Sequence, residues 1–218
     1  MLFKKNDSVL FLGDSITSAS KPKEEGEGAP SNIPSPFGEG FVNLVYGYLH
    51  LNYPELHLRV INKGISGNRS IDLVNRFQSD CIDYKPNWLI LMVGTNDIWR
   101  QFDCPDMPKY NIGNQEYESN IEYMVKRSSE SNTQVIICSP FIIEPNKKEL
   151  MRTVFDVYGA ICKNIAEKYN AIYIDIQKAF DRLLKNISTY ELAKDRIHPN
   201  ITGHMLIMQE IMRVVERN

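Results

Sequence analysis

Short apolar runs alternate with longer amphipathic stretches along the 218-residue chain. The apolar runs contain few polar side chains, a pattern typical of strands buried on both faces of a parallel sheet. The amphipathic stretches between them are long enough for helices that cover such a sheet. We predict strands at Val9–Leu12, Leu58–Asn62, Trp88–Val93, Gln134–Ser139 and Ala171–Asp175, and helices near 41–52, 70–80, 115–131, 148–169, 176–186 and 202–216.

The strand–helix alternation predicts an α/β fold, a three-layer α/β/α sandwich around a parallel sheet, in one domain spanning residues 1–218. Ser18–Gly40 interrupts the pattern, because it contains four prolines and four glycines. We predict a long loop there, and such a loop in a compact domain is usually functional or disordered.

Composition excludes several classes of protein. A hydrophobic content of 43% and a charged content of 24% are those of a globular chain, not of a disordered or fibrous one. The net charge of −2 provides no strong positive field, so we do not expect nucleic acid as a partner. The N-terminal apolar run, Val9–Leu12, is too short for a signal peptide, and no run approaches the roughly 20 residues of a membrane span. We therefore expect a cytoplasmic protein with no membrane contact; a homo-oligomer is compatible with the sequence.

Metal and cofactor motifs are not found in the sequence. HExxH, the GxxxxGK[ST] phosphate loop and GxGxxG after a strand are all missing, so we expect no metal and no cofactor. The four cysteines form no CxxC pair and lie in apolar surroundings, which predicts small buried hydrophobic side chains in a reducing compartment. They are Cys81, Cys104, Cys138 and Cys162.

Polar segments follow each of the first three predicted strands. If the strand order is 2-1-3-4-5, the first strand lies between the second and third, and these segments meet in one crevice beyond the carboxyl ends of the strands. The segments are Gly13-Asp14-Ser15, Lys63-Gly64-Ile65-Ser66-Gly67-Asn68 and Gly94-Thr95-Asn96-Asp97.

A nucleophile and a base are available among these residues and near the C-terminus. Ser15 directly follows the first strand, and is either a nucleophile or only a helix cap. Pro199 disfavours helix at His198, so Asp195 and His198 can meet across a turn, either as an oriented base or as a surface pair. We expect His204 to be a packing or surface residue within the last helix.

Two groups are suited to stabilising an oxyanion. The Gly67 amide and the Asn96 side chain follow the strands on either side of that of Ser15, although a turn glycine and a helix cap are the simpler interpretations of each. The GxSxG nucleophile elbow is missing, since the segment after Gly13 lacks the second glycine, which disfavours an ordinary α/β-hydrolase.

Taken together, these motifs resemble the SGNH hydrolases, or GDSL-like esterases. Four blocks match in order over residues 9 to about 204: Gly13-Asp14-Ser15, Gly67-Asn68, Gly94-Thr95-Asn96-Asp97 and Asp195-x-x-His198-Pro199. The resemblance implies a flavodoxin-like sandwich with a five-stranded sheet of order 2-1-3-4-5. It implies Ser15 as the nucleophile, His198 as the base and Asp195 as its orienter. It also implies an oxyanion hole made of the Ser15 amide, the Gly67 amide and the Asn96 side chain.

Longer stretches look like the cytoplasmic acetylxylan esterases of bacterial xylan utilisation, notably residues 60–68, 96–101 and 195–199. This implies a serine esterase that deacetylates small acetylated sugars such as xylo-oligosaccharides. Two alternatives stay open: a lysophospholipase or thioesterase of the same fold, and a catalytically silent sugar-binding module. As substrate-binding residues we expect Asp14, Trp99 and Arg100, although Trp99 is equally suited to packing and Arg100 to a structural or solvent-facing position.

Overall fold

The computed structural model describes residues 1–21, 36–107 and 111–217. Its strands are β1 Ser8–Gly13, β2 Arg59–Gly64, β3 Trp88–Met92, β4 Gln134–Cys138 and β5 Ile172–Ile174. All neighbouring strands are parallel, and their order is β2-β1-β3-β4-β5. This confirms the predicted sheet and places β1 at the point where the direction of strand addition reverses.

The helices are α1 Ser15–Ser18, α2 Phe41–Asn52, α3 Ser70–Asp80, α4 Thr95–Asp103, α5 Asn114–Glu130, α6 Leu150–Lys168, α7 Ile176–Leu183, α8 Thr189–Leu192 and α9 Ile201–Val215, with 3₁₀ turns at Pro54–Leu56 and Ile82–Tyr84. The predicted helices are present, although α7 ends at Leu183 instead of 186. Helix α4 was not predicted, because its first turn is the polar segment that follows β3. None of the helices in the described ranges has the length and apolar character needed to cross a membrane.

Helices cover both faces of the sheet, as the apolar strands predict. Along β1, Val9 and Phe11 face α2, α7 and α9, whereas Leu10 and Leu12 face the layer formed by α3 to α6. All four side chains are fully buried. Burial of both faces leaves the carboxyl edge of the sheet as the place where polar side chains emerge.

The expectation that all four cysteines are buried needs correction, and the predicted loop Ser18–Gly40 lies mostly outside the described residues. Cys104 is only partly buried, unlike the other three cysteines, because it lies just beyond the end of α4 at the surface. Most of the predicted loop Ser18–Gly40, residues 22–35, lies outside the described residues. Its described ends are tied together, since the Glu39 N–H donates to the Ala19 carbonyl at 2.7 Å.

Candidate active site

Ser15 is the first residue of α1, immediately beyond the end of β1. The helix cap at this position is Asp14, whose Oδ1 accepts the Ile16 N–H at 3.0 Å. The helix-cap interpretation of Ser15 is therefore wrong, and its hydroxyl is available for another role.

The Ser15 hydroxyl lies at one end of a continuous chain of hydrogen bonds. Its Oγ is 2.8 Å from Nε2 of His198, and Nδ1 of the same ring is 2.6 Å from Oδ2 of Asp195. A carboxylate only accepts hydrogen bonds, so the ring proton lies on Nδ1 and Nε2 keeps the lone pair that faces Ser15. The structure thus brings together three residues that are up to 183 positions apart.

The segment that carries Asp195 and His198 is held to the body of the protein by its backbone. Ala193 and Pro199 form a β-bridge, and the Ile143 N–H donates to the Arg196 carbonyl at 2.8 Å. The Arg196 side chain pairs with Glu144 at 3.3 Å and with Glu149 at 3.4 Å. These contacts fix the loop although the side chains of His198 and Asp195 are 44% and 40% exposed.

Asp195 is oriented by its own turn. Its Oδ1 accepts the backbone N–H groups of Ile197 at 3.0 Å and His198 at 2.8 Å. Partial burial works to raise the pKa of Asp195, but the hydrogen bonds from the His198 ring and from these two amides hold it below its usual value. Asp195 is therefore negatively charged when the His198 imidazole takes up a proton.

Gly67 and Asn96 follow the two strands that flank β1, as expected. Asn96 lies in the first turn of α4, and its Nδ2 donates to the Asn68 carbonyl at 3.0 Å. Gly94, which precedes that turn, has a φ of 134°, and Gly67 has a φ of 82°. Both values favour glycine, so Gly67 does occupy a turn, and that turn lies beside the Asn96 side chain.

A buried polar network next to this turn joins the first turn of α4 to the start of α3. Asp97 is fully buried, and both of its carboxylate oxygens accept the Ser70 N–H at 3.0 Å while the Ser70 hydroxyl donates to Oδ1. Asn120 donates to that hydroxyl at 2.9 Å. Burial raises the pKa of Asp97 to about 6, although the bonds from Ser70 oppose the shift. Sequence reasoning placed Asp97 in a signature block without finding this anchoring role.

Asp14 does not occupy the position expected of a substrate-binding residue. Its side chain is 1% exposed and lies beneath Ser15, where it caps α1. Burial raises its pKa to about 7; the Ile16 amide and the charge of His198 oppose this shift, and the charge of Asp97 adds to it. The structure therefore gives Asp14 a buried capping role and no contact surface for a ligand.

A cavity of about 1330 Å³ opens beside Ser15 and His198. Its lining includes the charged side chains of Lys63, Arg76 and Asp80. No motif in the sequence pointed to Arg76 or Asp80, which lie one turn apart on α3. In the described part of the chain, no three His, Cys, Asp or Glu side chains are grouped as metal ligands would be.

His204 also lines this cavity, on the first turns of α9. It is 9% exposed, and its Nδ1 accepts the Phe41 N–H at 3.2 Å. Burial lowers its pKa to about 4, and the charge of His198 contributes. His204 is thus a neutral, packed histidine, as the sequence predicted, although it also faces the site.

Trp99 lies beside His198 and Arg100 lies beside Trp99, but neither is among the residues that line the cavity. The Trp99 ring is half-buried, with its centroid 5.9 Å from that of His198. Arg100 pairs with Asp103 on the same helix, and its guanidinium is 5.7 Å from the Trp99 ring. The structure therefore supports packing of Trp99 against the base and an ion-paired Arg100 more directly than contact with a ligand in the cavity.

Comparison with known proteins agrees with this geometry. The model of a family described as GDSL-like lipase/acylhydrolase matches residues 11–206. The chain belongs to this GDSL-like lipase/acylhydrolase family. The resemblance of the four sequence blocks is thereby confirmed, and so is the assignment of the chain as a carboxylic ester hydrolase.

Several known proteins match this chain over nearly the full length. An acetylxylan esterase of Geobacillus stearothermophilus is 40% identical over 215 residues, which are 99% of this chain and 96% of that one. The crystal structure of Axe2, an acetylxylan esterase from the same organism, has a TM-score of 0.94 at 39% identity and covers 100% of this chain and 98% of its own. LAE5, an alpha/beta hydrolase enzyme from the metagenome of Lake Arreo in Spain, has a TM-score of 0.94 at 37% identity, with coverage of 99% and 97%.

Proposed function

We propose that this protein is a serine esterase that removes acetyl groups from short xylo-oligosaccharides, with Ser15, His198 and Asp195 as its catalytic triad. The observation that carries the proposal is the hydrogen-bonded chain from Ser15 Oγ through His198 to Asp195, which opens into the cavity. Structures of Axe2 with alanine in place of a serine, an aspartate or a histidine are described as catalytic mutants. In those structures the aspartate and histidine are three positions apart, the same spacing as Asp195 and His198.

Acylation begins when the Ser15 oxygen attacks the acetyl carbonyl carbon and its proton passes to Nε2 of His198. Asp195 stabilises the imidazolium that forms. The carbonyl oxygen becomes an oxyanion, and we assign its hydrogen-bond donors to the Ser15 amide, the Gly67 amide and the Asn96 side chain. One such donor typically lowers the barrier by about 2.7–4 kcal/mol.

Collapse of the tetrahedral intermediate breaks the bond to the sugar oxygen, and His198 gives its proton to that oxygen. Water then attacks the acetyl-serine carbonyl while His198 removes one of its protons. The bond between the acetyl carbon and Ser15 Oγ breaks, His198 returns the proton to Oγ, and acetate is released. Every proton in this cycle passes through Nε2, so no metal or organic cofactor is part of the proposed mechanism.

The character of the cavity supports a polar leaving group. A lysophospholipase or thioesterase needs a continuous apolar channel for its acyl chain, because each methylene contributes about 0.8 kcal/mol to binding only when it is buried. Charged side chains such as Lys63, Arg76 and Asp80 interrupt the wall instead. A short sugar ester with many hydroxyls is the better match for such a surface.

The substrate is tested by measuring acetate release from acetylated xylobiose, together with hydrolysis of p-nitrophenyl acetate and octanoate. We expect release of acetate from the sugar and a strong preference for the acetyl ester, with the Ser15→Ala variant below about 1% of wild-type turnover. A preference for octanoate without acetate release from the sugar would favour the lipid-type alternative. Failure of Ser15 to react with a fluorophosphonate probe would favour the silent binding module.

The cytoplasmic location belongs to the same proposal, because a short imported oligosaccharide is a substrate available inside a cell. Cell fractionation with an antibody against the natural protein tests it. Recovery with the membrane or secreted fraction would contradict it.

A further inference from the structure

The guanidinium of Arg76 contacts three separate segments around the candidate active site. Its Nε donates to Oδ1 of Asn68 at 2.8 Å, and its Nη2 donates to the Gly13 carbonyl at 3.2 Å. Its Nη1 pairs with Asp80, one turn along α3, at 2.5 Å. The side chain is only 15% exposed, and its accessible part faces the cavity.

Two of these partners adjoin the proposed reacting groups directly. Gly13 is the last residue of β1 and lies two positions before Ser15. Asn68 follows Gly67, and its carbonyl accepts the Asn96 side chain at 3.0 Å. The Arg76 fork therefore joins the segment of the nucleophile to the turn that carries one proposed oxyanion donor and contacts the other.

The position of the fork is itself fixed. Asp80, which holds Nη1, is also 3.8 Å from the Lys63 ammonium, and Lys63 donates to the Tyr84 hydroxyl at 2.8 Å. These groups lie on β2, α3 and the turn after α3, which pack together. A planar guanidinium carries its N–H donors on three separate nitrogens in a rigid fork, so it holds acceptors that lie farther apart than those a single ammonium nitrogen can reach.

We propose that Arg76 is a positioning residue, which sets the separation between the Ser15 segment and the Gly67–Asn68 turn and so pre-organises the oxyanion hole. This inference rests on the proposed function, because it assumes that the oxyanion forms at Ser15. It predicts that Arg76 affects the transition state more than substrate binding, since the oxyanion exists only after attack.

Kinetics of Arg76→Ala with p-nitrophenyl acetate provide the test. We expect kcat to fall about tenfold to a hundredfold, as small misplacements of catalytic groups do, with KM within about twofold of wild type. Millimolar guanidinium should restore part of the lost kcat, whereas Arg76→Lys should remain as slow as Arg76→Ala. The matched control is Arg127→Ala, because Arg127 also pairs with an acid one turn along its helix, Glu130 at 3.4 Å, and donates to the side-chain oxygen Oε1 of Gln78 at 3.1 Å.

A rise in KM at constant kcat would overturn the proposal, because Arg76 would then be a substrate-binding residue of the cavity. Unchanged kinetics, or a lower melting temperature with unchanged kcat, would overturn it equally. If Arg76→Ala does not fold, Asn68→Ala takes its place, since it removes the acceptor of Nε but keeps the backbone carbonyl that accepts Asn96. We expect a fall in kcat of about fivefold or more for it, and an unchanged kcat would refute the positioning role.

The proposed function fails by different results. Wild type that does not hydrolyse acetyl esters, or Ser15→Ala that retains activity, would refute the esterase assignment before any Arg76 variant is compared. If wild type is active and Ser15→Ala is not, the Arg76 measurements decide the positioning role alone.

Discussion

Replacing Asp14 by asparagine isolates the free energy of burying a carboxylate beside the nucleophile. The side chain is 1% exposed and accepts hydrogen bonds from the backbone, including the Ile16 amide at 3.0 Å. Asparagine has nearly the same shape, and its Oδ1 can accept that bond. The substitution therefore removes the charge while leaving the cap of α1 in place.

The magnitude follows from the pKa of Asp14, which burial raises from 3.8 to about 7. Because the folded state holds this proton more tightly than the unfolded state, stability falls as the pH rises from about 4 to 7 and is then constant. At about 1.4 kcal/mol per pKa unit, the cost is about 2 kcal/mol at pH 5 and about 4 kcal/mol at pH 8. The free energy of unfolding of Asp14→Asn, relative to that of wild type, should therefore be about 2–3 kcal/mol higher at pH 8 than at pH 5.

Urea denaturation of both proteins at pH 5 and pH 8, followed by circular dichroism, measures this difference. His204 contributes the opposite sign, because its lowered pKa of about 4 makes stability fall as the pH drops below 6.5. Both proteins retain His204, so its contribution cancels. Asp175→Asn, which changes the capping carboxylate of α7 that accepts the Lys178 N–H at 2.8 Å, controls for loss of a capping charge. Parallel pH profiles for wild type and Asp14→Asn would refute the reasoning.

Three further outcomes are expected. Asn96→Ala should lower kcat on p-nitrophenyl acetate by about 10²–10³ with little change in KM; a rise in KM alone would make Asn96 a binding residue. Arg152→Ala should cost about 3 kcal/mol in urea denaturation, because it leaves Asp181 without the paired bonds of 2.8 and 2.9 Å that a 2%-exposed guanidinium now supplies; a loss below 1 kcal/mol would show that the pair is dispensable. A thiol reagent should titrate Cys104 alone in the native protein, since burial raises the pKa of the other three thiols, and reaction of a second thiol would contradict their burial.

The sheet was predictable from the sequence because strands buried on both faces consist almost entirely of apolar residues. A strand such as Val9–Leu12 has no solvent-facing position, so its uninterrupted apolar run identifies it directly. Helices α2 and α3 were predicted with their observed bounds for a related reason, since amphipathic spacing and flanking turn residues define them. Helix α4 escaped prediction because its first turn is the buried polar segment after β3, which was interpreted from the sequence as a loop of the site.

The candidate site was predictable only where chemistry restricts the residue type. Few residues other than serine, histidine and aspartate can form the chain that links Ser15 to Asp195, and their places at strand ends made them visible. The importance of Arg76 and Asp80 could not be recognised in this way, because an arginine and an aspartate four apart on a helix are common surface residues. Their importance depends on where α3 packs, which is a property of the tertiary structure.

The two halves of the proposed triad are stabilised by different means, and this difference bears on how activity depends on the fold. Ser15 directly follows β1, an inner strand of the sheet that is buried on both faces. His198 lies on a partly exposed loop that is held by a β-bridge, by burial of Ile197 in the core, by the Ile143 N–H and by the ion pairs of Arg196, whose own φ of 66° is unfavourable for a residue with a side chain. Local opening of that loop needs far less free energy than opening of the sheet. We therefore expect His198 to separate from Ser15, with loss of activity, at a lower urea concentration than the one that unfolds the sheet.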